Sequence, residues 1–135
     1  MKKNNIIRIA LITLFTFTFI SCQQQSKSTE SYSTVSVADF KHAIDQQQGI
    51  ILDVRTPEEF AEGHLPGAMN IDINGTDFKE QIEKLDKSKN YEVYCRSGKR
   101  SAKASAMMAD QGFVHVINLD GGILSWQEKG FPVEK

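Results

Sequence analysis

Short apolar runs alternate along this chain with segments of helical periodicity. Strands are predicted at 50–54, 68–71, 91–94 and 114–117, and helices at 37–48, 57–62, 77–85, 101–111 and 123–128. The run Ile-Ile-Leu-Asp-Val at 50–54 carries a single acid, as strands buried on both faces do. Strands that alternate with helices in this way form a mostly parallel sheet with helices on both faces. We therefore expect a three-layer α/β fold with a site beyond the carboxyl ends of the strands.

The residue that most constrains function lies in a strand-to-helix loop. The strand at 91–94 places Cys95 at its carboxyl end, and the loop Cys95-Arg96-Ser97-Gly98-Lys99-Arg100 leads into a helix at Ser101. The first N–H groups of a helix lack intrahelical partners, and the helix dipole is positive there. Gly98 permits a backbone conformation that a Cβ forbids, so several N–H groups can point at one atom. This arrangement stabilises an anion at Cys95.

Three basic residues reinforce the same interpretation. Arg96, Lys99 and Arg100 all lie within five positions of Cys95. Positive charge and N–H groups lower the pKa of a thiol and make it a nucleophile near neutral pH. The alternative is an inert cysteine that ends a core strand, but such a residue gives no reason for the basic cluster. We predict that Cys95 is the nucleophile and that residues 96–100, Ser97 and Gly98 included, bind the substrate.

The sequence resembles the rhodanese family in segments that occur in the family's order. These are the loop 95–101, Asp53-Val54-Arg55 with Glu58-Glu59-Phe60, and Gly63-His64-Leu65-Pro66-Gly67-Ala68 with Asn70-Ile71. Gly121-Gly122 and Trp126 resemble the end of the domain, and the resemblance covers nearly all of residues 34–133. It implies a rhodanese-like fold and a sulfurtransferase, in which Cys95 takes a sulfane sulfur from a donor such as thiosulfate. The resulting persulfide passes the sulfur to a thiol or cyanide.

The resemblance also implies a supporting role for Asp53, Arg55 and Glu59, as an internal ion-pair network that holds the loops. Two other functions remain open: a persulfide carrier that serves a partner protein, and a silent interaction domain, which the intact Cys95 loop disfavours. Related phosphatases use Cys-x5-Arg, whereas Arg100 makes the pattern here Cys-x4-Arg. The tighter loop favours sulfur over phosphate.

The N-terminus has the pattern of an export signal. Residues 1–8 are basic, and the apolar stretch 9–20 is too short for a membrane span of about 20 residues. Ser21 precedes Cys22, as a small residue does in the lipobox of bacterial lipoproteins, which this segment resembles. The resemblance implies that Cys22 is acylated and anchors the protein to the periplasmic face of a membrane. An ordinary signal peptide with an incidental Cys22, or a retained membrane helix, is the alternative.

Cleavage after residue 21 leaves 114 residues, enough for one domain. We expect a signal peptide at 1–21, a polar tether at 22–33 and the folded domain at 34–135. After cleavage the chain would have 13 basic and 17 acidic residues, a formal charge of −4, so nothing suggests the basic surface that a nucleic-acid partner would need. With no Cys-x-x-Cys motif and three scattered histidines, we expect no metal or cofactor. The expected partners are a small anionic sulfur donor and a thiol or cyanide acceptor, with the protein a monomer.

Overall fold

The computed structural model describes residues 32–47 and 49–135. Strands and helices alternate through them. The elements are β1 (Tyr32–Val35), α1 (Val37–Asp45), β2 (Gly49–Asp53), α2 (Pro57–Glu62), β3 (Met69–Asn70), α3 (Phe78–Glu83), β4 (Asn90–Tyr94), α4 (Lys99–Asp110), β5 (His115–Leu119) and α5 (Gly122–Glu128).

The described strands form one sheet of order β1-β5-β4-β2-β3, with parallel pairing throughout. Alternate residues of a strand face opposite sides of a sheet. Leu52 and Val93 therefore enter one buried cluster with residues of α3 and α4, whereas Tyr94 enters another with residues of α1 and α5. Helices cover both faces, which confirms the predicted three-layer α/β architecture. The strand β4, at the centre of the sheet, is buried along most of its length and fixes the position of whatever follows it.

Short-range sequence signals are reproduced closely at α2. The Thr56 hydroxyl accepts a hydrogen bond from the Glu59 N–H, and the Glu59 carboxylate accepts one from the Thr56 N–H. These two bonds form the capping box, with Pro57 in the first turn. The N-terminal end of α2 is thereby fixed, together with the side chain of Glu59.

Most element boundaries differ from the sequence interpretation by one or two residues, including α4, which begins at Lys99 rather than at Ser101, and two differences near the N-terminal end of the domain are larger. Tyr32 and Ser33, assigned to the tether, belong to β1 and pair with Val116 and Ile117 of β5. The pairing is distant along the chain, so local composition gave no sign of it. The first helix ends at Asp45 rather than at residue 48, and Gln47 has a left-handed φ of 50°. Within the described residues, no helix is long and apolar enough to cross a membrane. The segment expected to be a signal peptide, and Cys22, lie outside the described residues.

Candidate active site

The thiol of Cys95 lies at the carboxyl end of the central strand. Cys95 directly follows β4, and α4 begins at Lys99. The residue is 1% exposed. Its Sγ accepts a hydrogen bond from the Gly98 N–H at 3.1 Å and another from the Ser101 hydroxyl at 3.3 Å. A buried sulfur that faces two donors is suited to carry negative charge.

The pKa of the Cys95 thiol is lowered from its ordinary value. Burial is the largest single influence and raises the pKa, because it disfavours the charged thiolate. Hydrogen bonds from the Ser101 side chain, and from the backbone N–H groups of Ser101, Ser97 and Gly98, act in the opposite direction and outweigh it. The sequence pointed to the basic side chains as well. In the structure the influences that lower the pKa of the thiol are hydrogen bonds, and among the basic residues Arg100 interacts with Cys95 through its charge.

Gly98 allows the loop to close tightly around the sulfur. It adopts a φ of 95° at the N-cap of α4, in the left-handed region that favours glycine. A Cβ at this position would lie 3.1 Å from the Leu119 carbonyl oxygen and 3.2 Å from the Gly121 nitrogen. Both the backbone angle and the space therefore require glycine, as predicted from the sequence.

The first turn of α5 holds the opposite side of the loop. The Ile123 N–H donates to the Cys95 carbonyl at 2.8 Å, and the Leu124 N–H donates to the Arg96 carbonyl at 3.2 Å. Gly122 makes this approach possible, because a Cβ there would lie 2.5 Å from the Arg96 carbonyl carbon and oxygen. The loop carbonyls are thus bound by α5 while the N–H group of Gly98 faces the thiol.

The three basic residues of the loop have different surroundings. Arg96 and Lys99 are exposed. Arg100 is half-buried, and its guanidinium donates two hydrogen bonds of 2.7 Å to the carboxylate of Glu59. The Arg100 hydrogen bond is the main reason that the pKa of Glu59 falls to about 2. Arg100 therefore ties α4 to α2, while Arg96 and Lys99 remain available to attract an anion.

Asp53 and Arg55 form a second, separate ion pair. The Arg55 guanidinium donates to the buried Asp53 carboxylate at 2.6 Å and to the Gly63 carbonyl at 2.7 Å. This pair joins the end of β2 to the end of α2. The expected network of Asp53, Arg55 and Glu59 is thus two pairs, since Glu59 binds Arg100 instead. Sequence spacing could not show this, because Glu59 of α2 and Arg100 of α4 are brought together only by the fold.

A polar depression of about 240 Å³ lies beside the loop. We call it the α2–α5 pocket. It is lined by residues of α2 and α5, by Arg55 and by one residue of the cysteine loop, namely Arg55, Glu59, Glu62, Gly63, Arg96, Ile123, Leu124 and Gln127. Among the described residues, no group of three or more His, Cys, Asp or Glu is placed to hold a metal ion.

Two side chains that contribute to the site were missed in the sequence. Ser101 is fully buried, and its hydroxyl donates to Sγ. Its position in the first turn after the cysteine loop was a signal that could have identified it. Asn118 of β5 donates from Nδ2 to the Gly98 carbonyl at 3.4 Å and to the Thr34 hydroxyl at 3.1 Å. It supports the loop from the neighbouring strand, and no local pattern marks it.

The sheet, the thiol at the end of its central strand and the donors around that thiol define an α/β domain with one buried, hydrogen-bonded cysteine. The chain belongs to the rhodanese-like family, because the family described as "Rhodanese-like domain" matches residues 36–129. This assignment agrees with the resemblance noted in the sequence.

Individual relatives point the same way. The chain is 35% identical to a sulfurtransferase of Allochromatium vinosum over 89 residues, 66% of this chain and 81% of that protein. It is 39% identical to a chloroplastic thiosulfate sulfurtransferase of Arabidopsis thaliana over 93 residues, 62% of this chain and 78% of that protein. A rhodanese-related protein of Thermoplasma volcanium has a similar structure, with a TM-score of 0.68 and 35% identity. That match covers 76% of this chain and 98% of the other. The family is therefore one of rhodanese-type sulfur transfer.

Proposed function

We propose that the protein is a sulfurtransferase that moves a sulfane sulfur from thiosulfate or a persulfide donor to a thiophilic acceptor. The observation that carries the proposal is the Cys95 thiol, with a lowered pKa and two hydrogen-bond donors at the end of the central strand. A thiolate is the nucleophilic form of cysteine. A second acid or base is not needed once the thiol is ionised.

The first half-reaction loads the cysteine. The Cys95 thiolate attacks the outer sulfur of thiosulfate, the Sγ–S bond forms, the donor S–S bond breaks, and sulfite leaves with the electron pair. The Gly98 N–H and the Ser101 hydroxyl, which face Sγ, stabilise the negative charge on Sγ before the sulfur is transferred to it. In the second half-reaction the acceptor attacks the outer sulfur, and Sγ leaves as the thiolate that these donors already stabilise.

The choice of thiosulfate rests on charge. Arg96 and Lys99 are exposed next to Cys95 and favour a small anionic donor. The related Arabidopsis protein carries thiosulfate sulfurtransferase in its name. The loop also favours sulfur over a larger oxyanion, because the Gly98 N–H already lies at hydrogen-bond distance from Sγ, 3.1 Å away.

Intact mass and turnover together test the proposal. After incubation with thiosulfate and removal of excess reagent, the native protein should gain one sulfur atom, and added cyanide should remove it as thiocyanate. Cys95→Ser should gain no sulfur and form no thiocyanate while keeping the native circular dichroism spectrum. A Cys95→Ser variant that retains a substantial part of the native rate would refute the role of this residue. Persulfide formation without repeated turnover would instead identify a sulfur carrier.

We also propose that the protein is exported and anchored by a lipid on Cys22. Support comes from the basic residues 1–8, the short apolar stretch 9–20 and the small residue before Cys22. Cys22→Ser should remain unprocessed or leave the membrane fraction, and a fatty-acid probe should label the native protein alone. Unchanged fractionation of Cys22→Ser, with no label on the native protein, would exclude the anchor.

A further inference from the structure

The α2–α5 pocket contains charges of both signs, and two of them are already committed. Arg55 is bound by Asp53 and by the Gly63 carbonyl. Glu59 is bound by Arg100 through two hydrogen bonds. Their charges are satisfied inside the protein, so neither is available to select a ligand.

One cation and one anion remain on the walls of the pocket. Arg96 and Glu62 are both exposed, both line the pocket, and neither is in an ion pair with another residue in the part of the chain that the structure describes. The pocket therefore presents one unpaired positive and one unpaired negative group. A ligand with a carboxylate and an ammonium group matches both.

The remaining walls limit the size and character of the ligand. Ile123 and Leu124 supply apolar surface, and Leu124 is 44% exposed. The volume of about 240 Å³ lies below the range of roughly 300–1,000 Å³ typical of pockets for drug-sized ligands. The pocket thus suits a small molecule with a short apolar stem. Because Arg96 directly follows Cys95, the pocket adjoins the loop that carries the reacting thiol.

We propose that the acceptor of the sulfur is a small zwitterionic amino thiol of the cysteine class. Arg96 binds its carboxylate, and Glu62 binds its ammonium group. The inference rests on the sulfurtransferase function proposed above. It adds the chemical class of the acceptor and assigns Glu62 as a specificity-determining residue.

The transfer step balances without an added oxidant or reductant. The acceptor thiol loses its proton to solvent, and its thiolate attacks the outer sulfur of the Cys95 persulfide. The new S–S bond forms on the acceptor, the bond from the outer sulfur to Sγ breaks, and Sγ keeps the electron pair as a thiolate. The products are the acceptor persulfide and the original Cys95 thiolate.

Glu62 should affect donor and acceptor in opposite directions. Its carboxylate attracts the ammonium group of cysteine but repels the dianion thiosulfate. Because the residue is exposed, each effect should be modest, roughly two- to five-fold, as for ion pairs in contact with solvent. Glu62→Gln should therefore raise the KM for cysteine and lower the KM for thiosulfate. A general loss of packing would instead raise the KM values for both substrates.

The experiment compares three acceptors at saturating thiosulfate: cysteine, 3-mercaptopropionate, which lacks the ammonium group, and cysteamine, which lacks the carboxylate. In the native protein, cysteine should have the lowest KM. Glu62→Gln should raise the KM of cysteine and cysteamine but not that of 3-mercaptopropionate. Glu58→Gln is the matched control, since Glu58 is an exposed acid of the same helix that does not line the pocket, and it should leave all three values unchanged.

Equal KM values for cysteine and 3-mercaptopropionate, both insensitive to Glu62→Gln, would overturn the inference while leaving sulfur transfer intact. If no acceptor supports sulfur transfer, the proposed function fails. Ligand binding then tests the zwitterion site independently of sulfur transfer. NMR titration should then give tighter binding of S-methylcysteine than of 3-(methylthio)propionate, with the difference lost in Glu62→Gln. Equal binding of the two would exclude the zwitterion site.

Discussion

Ser101 offers the sharpest test of how Cys95 is activated. Its hydroxyl donates to Sγ at 3.3 Å, and this side-chain bond is the first of the influences that lower the pKa of the thiol. A hydrogen bond to a charged group contributes about 1.5–3 kcal/mol. The distance is long, so the lower figure applies, and one pKa unit corresponds to about 1.36 kcal/mol. Ser101→Ala should therefore raise the pKa of Cys95 by about one unit.

Ser105 provides a matched control one turn further along α4. It is fully buried like Ser101, but its hydroxyl has no hydrogen-bond partner among the described residues. The rate of iodoacetamide alkylation, measured from pH 5 to 10, gives the pKa of Cys95 in each variant. Ser105→Ala should leave that pKa unchanged, and sulfur transfer near neutral pH should slow in Ser101→Ala alone. A pKa in Ser101→Ala equal to that of the native protein would refute the hydrogen-bond explanation.

Three further predictions concern the loop and the core. Gly122→Ala should destabilise the domain and impair sulfur transfer, because the added Cβ would collide with the Arg96 backbone. The control is Gly130→Ala, since Gly130 also has a positive φ but has open space around it. In chemical denaturation this control should lose only about 1 kcal/mol of stability, the cost of the backbone conformation. Burial raises the pKa of the Glu92 carboxyl above the pKa it has in the unfolded chain. The free energy of unfolding should therefore decrease as the pH rises from below the unfolded-state pKa of Glu92 through its raised folded-state pKa. Glu92→Gln should remove this decrease in urea titrations, and an identical pH profile would contradict the assignment. The native domain should hydrolyse p-nitrophenyl phosphate far more slowly than it transfers sulfur. Insertion of a glycine after Gly98 should weaken sulfur transfer. Phosphate hydrolysis that is faster than sulfur transfer and depends on Cys95 would contradict the proposed chemistry.

Local patterns predicted what local forces determine. The capping box at Thr56, the glycine requirement at 98 and the position of Cys95 after a strand all depend on neighbours within a few residues, and the structure contains each. The bond between Glu59 and Arg100 depends on the order of the strands instead. The strand order cannot be predicted from any one segment of the sequence, so the partner of Glu59 could not be deduced from residue spacing.

The same distinction explains why the support from β5 and α5 was missed. Asn118 and the N–H groups of Ile123 and Leu124 reach the loop across the sheet, not along the chain. A backbone N–H group is present in every residue except proline, so its use leaves no trace in composition. The cysteine and its basic neighbours were visible in the sequence, whereas the contacts that orient the loop required the fold.

The bonds from α5 to the cysteine loop also set the order of events during protein synthesis. Cys95 leaves the ribosome before Ile123 and Leu124, whose N–H groups bind the carbonyls of the loop. Until those residues emerge, the loop is not held in the shape that directs donors at the sulfur. We therefore expect a chain that ends before α5 to carry a thiol with a pKa nearer its ordinary value, which reacts more slowly with oxidants near neutral pH. The state of the Cys95 thiol therefore depends on residues of α5, which follow it far along the chain.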